Sequence, residues 1–151
     1  GEQWPETVAR MDAAHPNAVP AIAGLPLRAN AMRVLVSDLL FPTSPDALVA
    51  VLGHRRGRGM VLAPYARSES DADWDGNLEF IDAEDGTHHR RRIEPALLKR
   101  YLTAYRQHFE FWKTSARRHG VLVARVPAHG SFLEAMQAEA LTAGAVEMFA
   151  S

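Results

Sequence analysis

The segment from Met32 to Ser37 is almost entirely apolar and ends abruptly at Asp38. An apolar run of this length is typical of a strand that is buried on both faces, as in a parallel sheet. A helix start follows closely, with Ser44 as its N-cap and Pro45 at its first position. Open α/β sheets bind ligands at the carboxyl ends of their strands, which is where the Asp38 carboxylate would lie.

Strands and helices alternate along the rest of the chain, and this alternation predicts an α/β fold. The sheet is expected to be open and mostly parallel, with flanking helices and a β-hairpin insertion. The further predicted elements are a helix from Ser44 to Gly53 or Gly57, a strand over 60–63 closed by Pro64, a hairpin over about 76–93, a helix over 95–119, a strand over 121–126 and a last helix capped by Ser131 with Glu134.

The composition is that of one globular domain. The chain has 151 residues, 47% of them hydrophobic, and 17 basic against 18 acidic side chains, so no overall basic field attracts nucleic acid. Cysteine is absent, which excludes disulfides, thiolate zinc sites and cysteine nucleophiles and is consistent with a reducing, cytoplasmic location. No apolar stretch approaches the roughly 20 residues that span a bilayer, so no membrane segment is predicted.

We divide the chain into three parts. Residues 1–30 are predicted to be an amino-terminal helical and loop segment, with a short helix over 3–14. Residues 31–143 are predicted to form the folded unit, and residues 144–151 a tail. Because the chain opens on Gly1 and then on a segment that looks internal to a domain, we expect it to be a fragment of a longer protein.

Residues 69–85 contain eight acidic side chains and no Lys or Arg. Within them, the loop over 71–82 places Asp71, Asp73 and Asp75 at the spacing of an EF-hand calcium loop. The flanking helices of an EF-hand are not predicted, however, because Pro64 precedes the loop and a hairpin pattern follows it. A solvated acidic loop that leads into a strand is the competing interpretation.

The basic run after the hairpin turn and the aromatic residues of the long helix can each be interpreted in two ways, as structural or as ligand-binding side chains. The basic run from His88 to Arg92 could bind an anion or phosphate, or it could be a solvated hairpin strand. The aromatic side chains on the long helix recur every three to four residues, as a core stripe does, although exposed rings could also stack on bases. These residues are Tyr101, Tyr105, Phe109 and Trp112. On the last helix, Leu133, Met136, Ala140 and Leu141 are predicted to face inward.

Several motifs of enzymes are missing from the sequence. It contains no GxxxxGK[ST] loop, no GxGxxG after a strand and no GxSxG nucleophile elbow. The histidines show neither HxxxH nor HExxH spacing, so a histidine metal site is not predicted. An enzyme that acts on nucleotides or phosphoryl groups is therefore weakly supported, a hydrolase triad has no anchor, and neither a nucleotide cofactor nor nucleic acid is predicted to bind.

Four segments follow one another along the chain: Leu35 to Leu40, Gly76 to Gly86, Tyr101 to Gly120, and Val121 to Val126 with Ser131 to Leu133. In this order they resemble a bacterial von Willebrand factor A-like family, the domain-of-unknown-function family numbered 58. The run from Leu35 to Leu40 resembles the ISDLL strand end of that family. The match covers roughly residues 30–143. The segment Gly76–Gly86 resembles the G-x-L-x-x-x-D-x-E-T-G hairpin of the family. The segment Tyr101–Gly120 resembles its long Tyr- and Arg-rich helix, which ends in R-R-x-G. Val121–Val126, followed by Ser131 to Leu133, resembles its last strand and helix.

The resemblance implies a fold, a metal-site residue and a partner. Metal sites of von Willebrand A domains combine a D-x-S-x-S loop, a distant Thr and an Asp after the fourth strand, and Asp38 matches only that last Asp. The chain thus looks like the carboxyl-terminal half of the domain, with no cofactor of its own and with Mg²⁺ or Ca²⁺ expected only in a full-length protein. Family members are often encoded beside MoxR-type AAA+ ATPases. The resemblance therefore implies a non-enzymatic adaptor or assembly role with such an ATPase.

The same resemblance leaves the strand over 32–38 without its usual neighbour. An apolar edge strand exposes unpaired N–H and C=O groups and favours pairing with another chain. We therefore predict that the chain forms a homodimer through this edge or swaps an element between two copies to cover it. Residues 3–28 are the only other local candidate for a cover, and a monomer covered by them would contradict this prediction. The competing prediction for function is a divalent-cation-binding domain that uses Asp38 or the acidic loop over 71–82.

Overall fold

The computed structural model describes residues 25–41, 43–82 and 86–147. Three parallel strands form the main sheet in the order β1 (Met32–Val36), β2 (Arg58–Tyr65) and β5 (Val121–Pro127). An antiparallel pair, β3 (Gly76–Ile81) and β4 (His88–Ile93), forms a separate hairpin. The α/β prediction with a parallel sheet and a hairpin is confirmed, whereas the predicted helix over 3–14 lies outside the described residues.

In the described part of the chain, three helices lie between strands and a fourth follows the last strand. Helix α1 (Pro45–Gly53) is followed by a short 3₁₀ turn over His54–Arg56 and joins β1 to β2. A single turn, α2 (Arg67–Ser70), was not expected from the sequence. The remaining helices are α3 (Pro95–Arg118), which matches the prediction closely, and α4 (Phe132–Ala138).

One face of the main sheet packs against α1 and α3. Side chains from β2 and β5 alternate between the two faces of the sheet, and Val61 and Val123 point toward these two helices. The stripe predicted on α3 supplies the helical side of this core, with Tyr105, Phe109 and Trp112 all buried. The core interpretation of the aromatic residues is therefore confirmed.

The opposite face of the sheet is covered only in part. Met60 and Ala124 are buried there beneath Ala140 and Ala145, which follow α4. On β1, by contrast, Met32, Val34 and Val36 are 61%, 52% and 64% exposed. Among the described residues, β1 pairs with β2 alone, and none of them pairs with its outer edge.

Arg33 is the one charged residue of β1, and its side chain is buried although the apolar side chains on either side of it are exposed. Its guanidinium donates to the carbonyl oxygens of Arg28, Val51, Leu52 and His54 at 2.7–3.0 Å. Three of these carbonyls belong to the end of α1, where a cation complements the helix dipole. The guanidinium therefore ties β1 to the carboxyl end of α1.

Gly57 leaves the space that this guanidinium occupies. A Cβ atom at position 57 would lie 2.7 Å from the Arg33 Cζ atom, which is closer than carbon atoms approach. Since the guanidinium is held by four carbonyl groups, it cannot move aside freely. The glycine, predicted only as a helix end, is thus required by the packing of Arg33.

Two details of the elements differ from the predictions. Strand β2 does not end at Pro64 but continues to Tyr65, with Pro64 opposite Val126 of β5. The missing N–H of Pro64 would face β1, and the pairing of β2 with β1 extends no further than Leu62. Leu133 of α4 was predicted to face inward, but it is 54% exposed and Ala135 is buried in its place. Ser131 and Glu134 do form the predicted capping box.

Among the described residues, no helix combines the length and the apolar character needed to cross a membrane.

Candidate functional site

The chain leaves β1 through a tight turn at the carboxyl edge of the sheet. Asp38 is exposed, and its Oδ1 accepts a hydrogen bond from the Leu40 N–H at 3.1 Å. The Ser37 hydroxyl oxygen accepts from the Leu39 N–H at the same distance. Both side chains thus satisfy backbone donors of the turn, which is the ordinary role of Ser and Asp after a strand.

Leu39 adopts a left-handed conformation, with φ of 63°, and its side chain is fully buried in the core. Such a conformation is unfavourable for a residue with a branched side chain and persists only where the surroundings hold it. His108 of α3 supplies one such contact, because its Nε2 lies 2.7 Å from the Leu39 carbonyl oxygen. This contact between His108 and Leu39 therefore connects the turn after β1 to α3.

Trp112 places its indole Nε1 at 3.1 Å from the same His108 Nε2. The two contacts compete, since one ring nitrogen cannot donate to a carbonyl and accept from an indole N–H at once. The carbonyl oxygen can only accept and the indole N–H can only donate, so the distances decide, and the contact to the carbonyl is the shorter one. We therefore assign the proton to Nε2 and the hydrogen bond to Leu39.

Arg125 lies between aromatic rings at the same edge of the sheet. Its Cζ is 4.1 Å from the centre of the Tyr65 ring, 4.6 Å from that of Phe109 and 5.2 Å from that of Tyr105. Stacking on ring faces stabilises a guanidinium through the ring quadrupoles. The Arg125 Nη2 also donates to the Tyr105 hydroxyl at 3.2 Å, so the arginine fixes this corner of the fold.

The hydroxyls of Tyr101 and Tyr105 on α3 stay protonated at neutral pH. Burial raises the pKa of Tyr101 to about 12, with smaller contributions from Tyr105 and Glu69. Burial also raises the pKa of Tyr105, although the neighbouring Arg125 opposes this increase. Neither hydroxyl can therefore serve as a base in its present surroundings.

A second polar cluster joins α1 to α3. The Ser115 hydroxyl donates to the Asp46 carboxylate, and the His119 Nε2 lies 4.0 Å from the same carboxylate oxygen. A nucleophilic serine needs the histidine as its direct partner, whereas here the carboxylate lies between the two. We interpret the cluster as a connection between the helices.

The acidic loop does not have the geometry of an EF-hand. Asp71 ends the one-turn helix α2, where its N–H donates to the Arg67 carbonyl at 2.9 Å. Asp73 and Asp75 follow, both exposed, and the strand β3 occupies the second half of the motif. The two long flanking helices of an EF-hand are therefore replaced by a single turn and a strand.

Within residues 25–41, 43–82 and 86–147, no three His, Cys, Asp or Glu side chains are grouped so that they could hold a metal ion. We expect titration calorimetry with Mg²⁺ and Ca²⁺ to show millimolar binding at most, because a lone carboxylate leaves such an ion mostly hydrated. The control is D38N, which should leave the titration unchanged. Saturable micromolar binding that D38N or D71N removes would contradict this expectation.

The sequence interpretation missed Arg33, His108 and Arg125. The signal for the first was available, because an arginine inside an apolar strand must find buried acceptors. The contacts of His108 and Arg125 join residues that are 69 and 20 positions apart, and no local pattern indicates them.

The chain was compared with protein-family models, with curated proteins and with solved structures, and none of them matches it significantly. The similarity to the von Willebrand factor A-like family therefore stays a prediction based on the sequence segments.

Proposed function

We propose that this chain is a non-enzymatic protein-binding domain and that β1 is its binding element. The observation that carries the proposal is the apolar stripe of Met32, Val34 and Val36, each more than half exposed. Leu122 of β5, 40% exposed, lies on the same face of the sheet but is separated from the stripe by the buried Met60 of β2. Isolated exposed apolar residues are common, but a contiguous group on an open edge strand favours association.

The partner class follows from the chemistry of the edge. A strand of another protein can pair with the outer N–H and C=O groups of β1 while its apolar side chains cover the stripe. The resemblance to the von Willebrand factor A-like family supports a MoxR-type AAA+ ATPase as that protein, with an adaptor role in assembly or maturation of a complex. A second copy of this chain could use the same edge, as in the predicted homodimer.

The test replaces two exposed residues of β1 by lysine, in the variant V34K/V36K. Charges on an edge strand oppose pairing, so we expect the variant to lose both self-association in light scattering and binding to a purified MoxR-type ATPase. The matched control is I81K, which changes a residue that is 62% exposed on the hairpin. This control should behave like the unchanged protein in both measurements.

The proposal fails if the unchanged protein is a monodisperse monomer at micromolar concentration and binds no such ATPase. Hydrogen exchange adds a second criterion, because amides on an open edge exchange quickly. Strong protection along the whole of β1 in that monomer would indicate that residues 3–28 already cover the strand.

A further inference from the structure

We propose that the outer edge of β4 binds an extended acidic segment of a partner protein. Strand β4 carries five consecutive His and Arg side chains, all exposed, from His88 to Arg92. Among the described residues, β4 pairs only with β3, so the hairpin presents a second open strand edge. This edge is basic, whereas the edge of β1 is apolar.

The backbone of β4 has groups available for pairing. The Asp82 N–H donates to the Thr87 carbonyl at 2.8 Å, which fixes the register of the hairpin. In an antiparallel pair only every second residue bonds to the partner strand, so the N–H and C=O groups of His88, Arg90 and Arg92 point away from β3. The Arg90 carbonyl accepts only a 3.3 Å contact from the neighbouring Arg91 side chain.

The positive charge of β4 is only partly compensated. Glu79 lies 2.9 Å from Arg90 and 3.4 Å from His88, so one carboxylate contacts two basic side chains. Arg92 and Glu94 are 3.9 Å apart and both mostly exposed, a pairing that contributes little. Residues 88–118 contain nine Arg and Lys side chains and two Glu side chains, whereas the acidic side chains of this part of the chain are concentrated in residues 69–85, before β4.

The positive charge of β4 determines what kind of segment can pair with its outer edge. A second β4 would place arginine opposite arginine, which is destabilising, so the strand discourages pairing with its own copy. An extended segment with acidic residues at alternate positions would place its carboxylates opposite Arg90 and Arg92, on one face. Arginine and carboxylate form charge-assisted hydrogen bonds while the two backbones pair.

A nucleic acid fits the hairpin less well. Binding to single strands needs exposed rings on which bases can stack. The two aromatic rings of the hairpin region are engaged already, since Trp74 packs on Phe80 at 5.2 Å and on Tyr101 at 4.8 Å between ring centres. The observations therefore favour an acidic peptide.

The test uses a short, blocked, fluorescent peptide in which Glu alternates with Val and Thr, and its binding is followed by anisotropy. We expect R90Q/R92Q to weaken binding by about tenfold, because two exposed ion pairs are lost. The control R117Q/R118Q removes the same charge from the end of α3 and should change the affinity by less than about twofold.

A finer control separates strand pairing from general attraction between charges. R92Q and R91Q remove the same charge from adjacent positions on opposite faces of β4, so only R92Q should weaken the alternating peptide appreciably. A peptide with proline in place of Val and Thr lacks the N–H donors and should bind weakly.

The proposal is wrong if R91Q and R92Q have equal effects, if the proline peptide binds as well as the original, or if the peptide does not bind. Tighter binding of a single-stranded oligo-dT would favour nucleic acid instead. Self-association that R90Q/R92Q abolishes would assign the edge to a second copy of the chain.

Discussion

Replacing Arg33 by alanine should destabilise the protein by roughly 3–5 kcal/mol, because several buried or partly buried acceptors lose a charged hydrogen-bond donor. Its four carbonyl acceptors would be left without a donor, and three of them lie at the end of α1. The free energy of unfolding, measured by urea denaturation, would show the effect as a lower midpoint at similar slope.

Two variants make this experiment specific to the contacts of Arg33. Arg58, exposed on the neighbouring strand, gives the control R58A, which should change stability by less than about 0.5 kcal/mol. R33K should be intermediate, because an ammonium group cannot reach four acceptors as a planar guanidinium does. A loss below about 1 kcal/mol for R33A would show that water replaces the arginine at these carbonyls.

Replacing Trp112 by alanine should cost roughly 3–5 kcal/mol as well, because a large buried side chain leaves a cavity behind. Trp112 has no exposed surface, and its ring meets Phe41 edge-on with 5.8 Å between ring centres. The expected loss of unfolding free energy has two parts, the lost burial of the indole and the lost aromatic contact with Phe41.

Phe111 provides the matched control one residue away on the same helix. Its ring is 51% exposed, so F111A should change the free energy of unfolding by about 0.5 kcal/mol or less. Similar losses in the two variants would contradict the assignment of the buried face of α3. Near-native stability of W112A would instead indicate that the indole is accessible and belongs to a binding surface.

The elements predicted correctly from the sequence are those that depend on residues close together in the chain, such as a helical spacing or a cap. The spacing of Tyr105, Phe109 and Trp112 indicated both the helix and its buried face, and the capping box at Ser131 marked the start of the last helix correctly. Leu133 was placed on the wrong face because a helix of seven residues has too few turns to define a stripe.

What the sequence could not supply was contact between distant residues. Asp38 stood out as a strand-end carboxylate, yet its observed contact is to the Leu40 N–H two residues on. The surroundings of Arg125 require β2, β5 and α3 to meet, which depends on packing rather than on any period. The role of β4 as an edge strand likewise follows from topology, although its charge was visible from the start.

Pro64 determines where β1 separates from the sheet. The Ser37 N–H still donates to the Leu62 carbonyl, and in a parallel ladder the next bond would run from a residue 64 N–H to the Ser37 carbonyl. Proline has no N–H, so the ladder stops there while β2 continues to pair with β5. Because this one donor is absent, the pairing of β1 with β2 ends at Ser37. The chain then turns, and the Leu39 side chain packs in the core against α3.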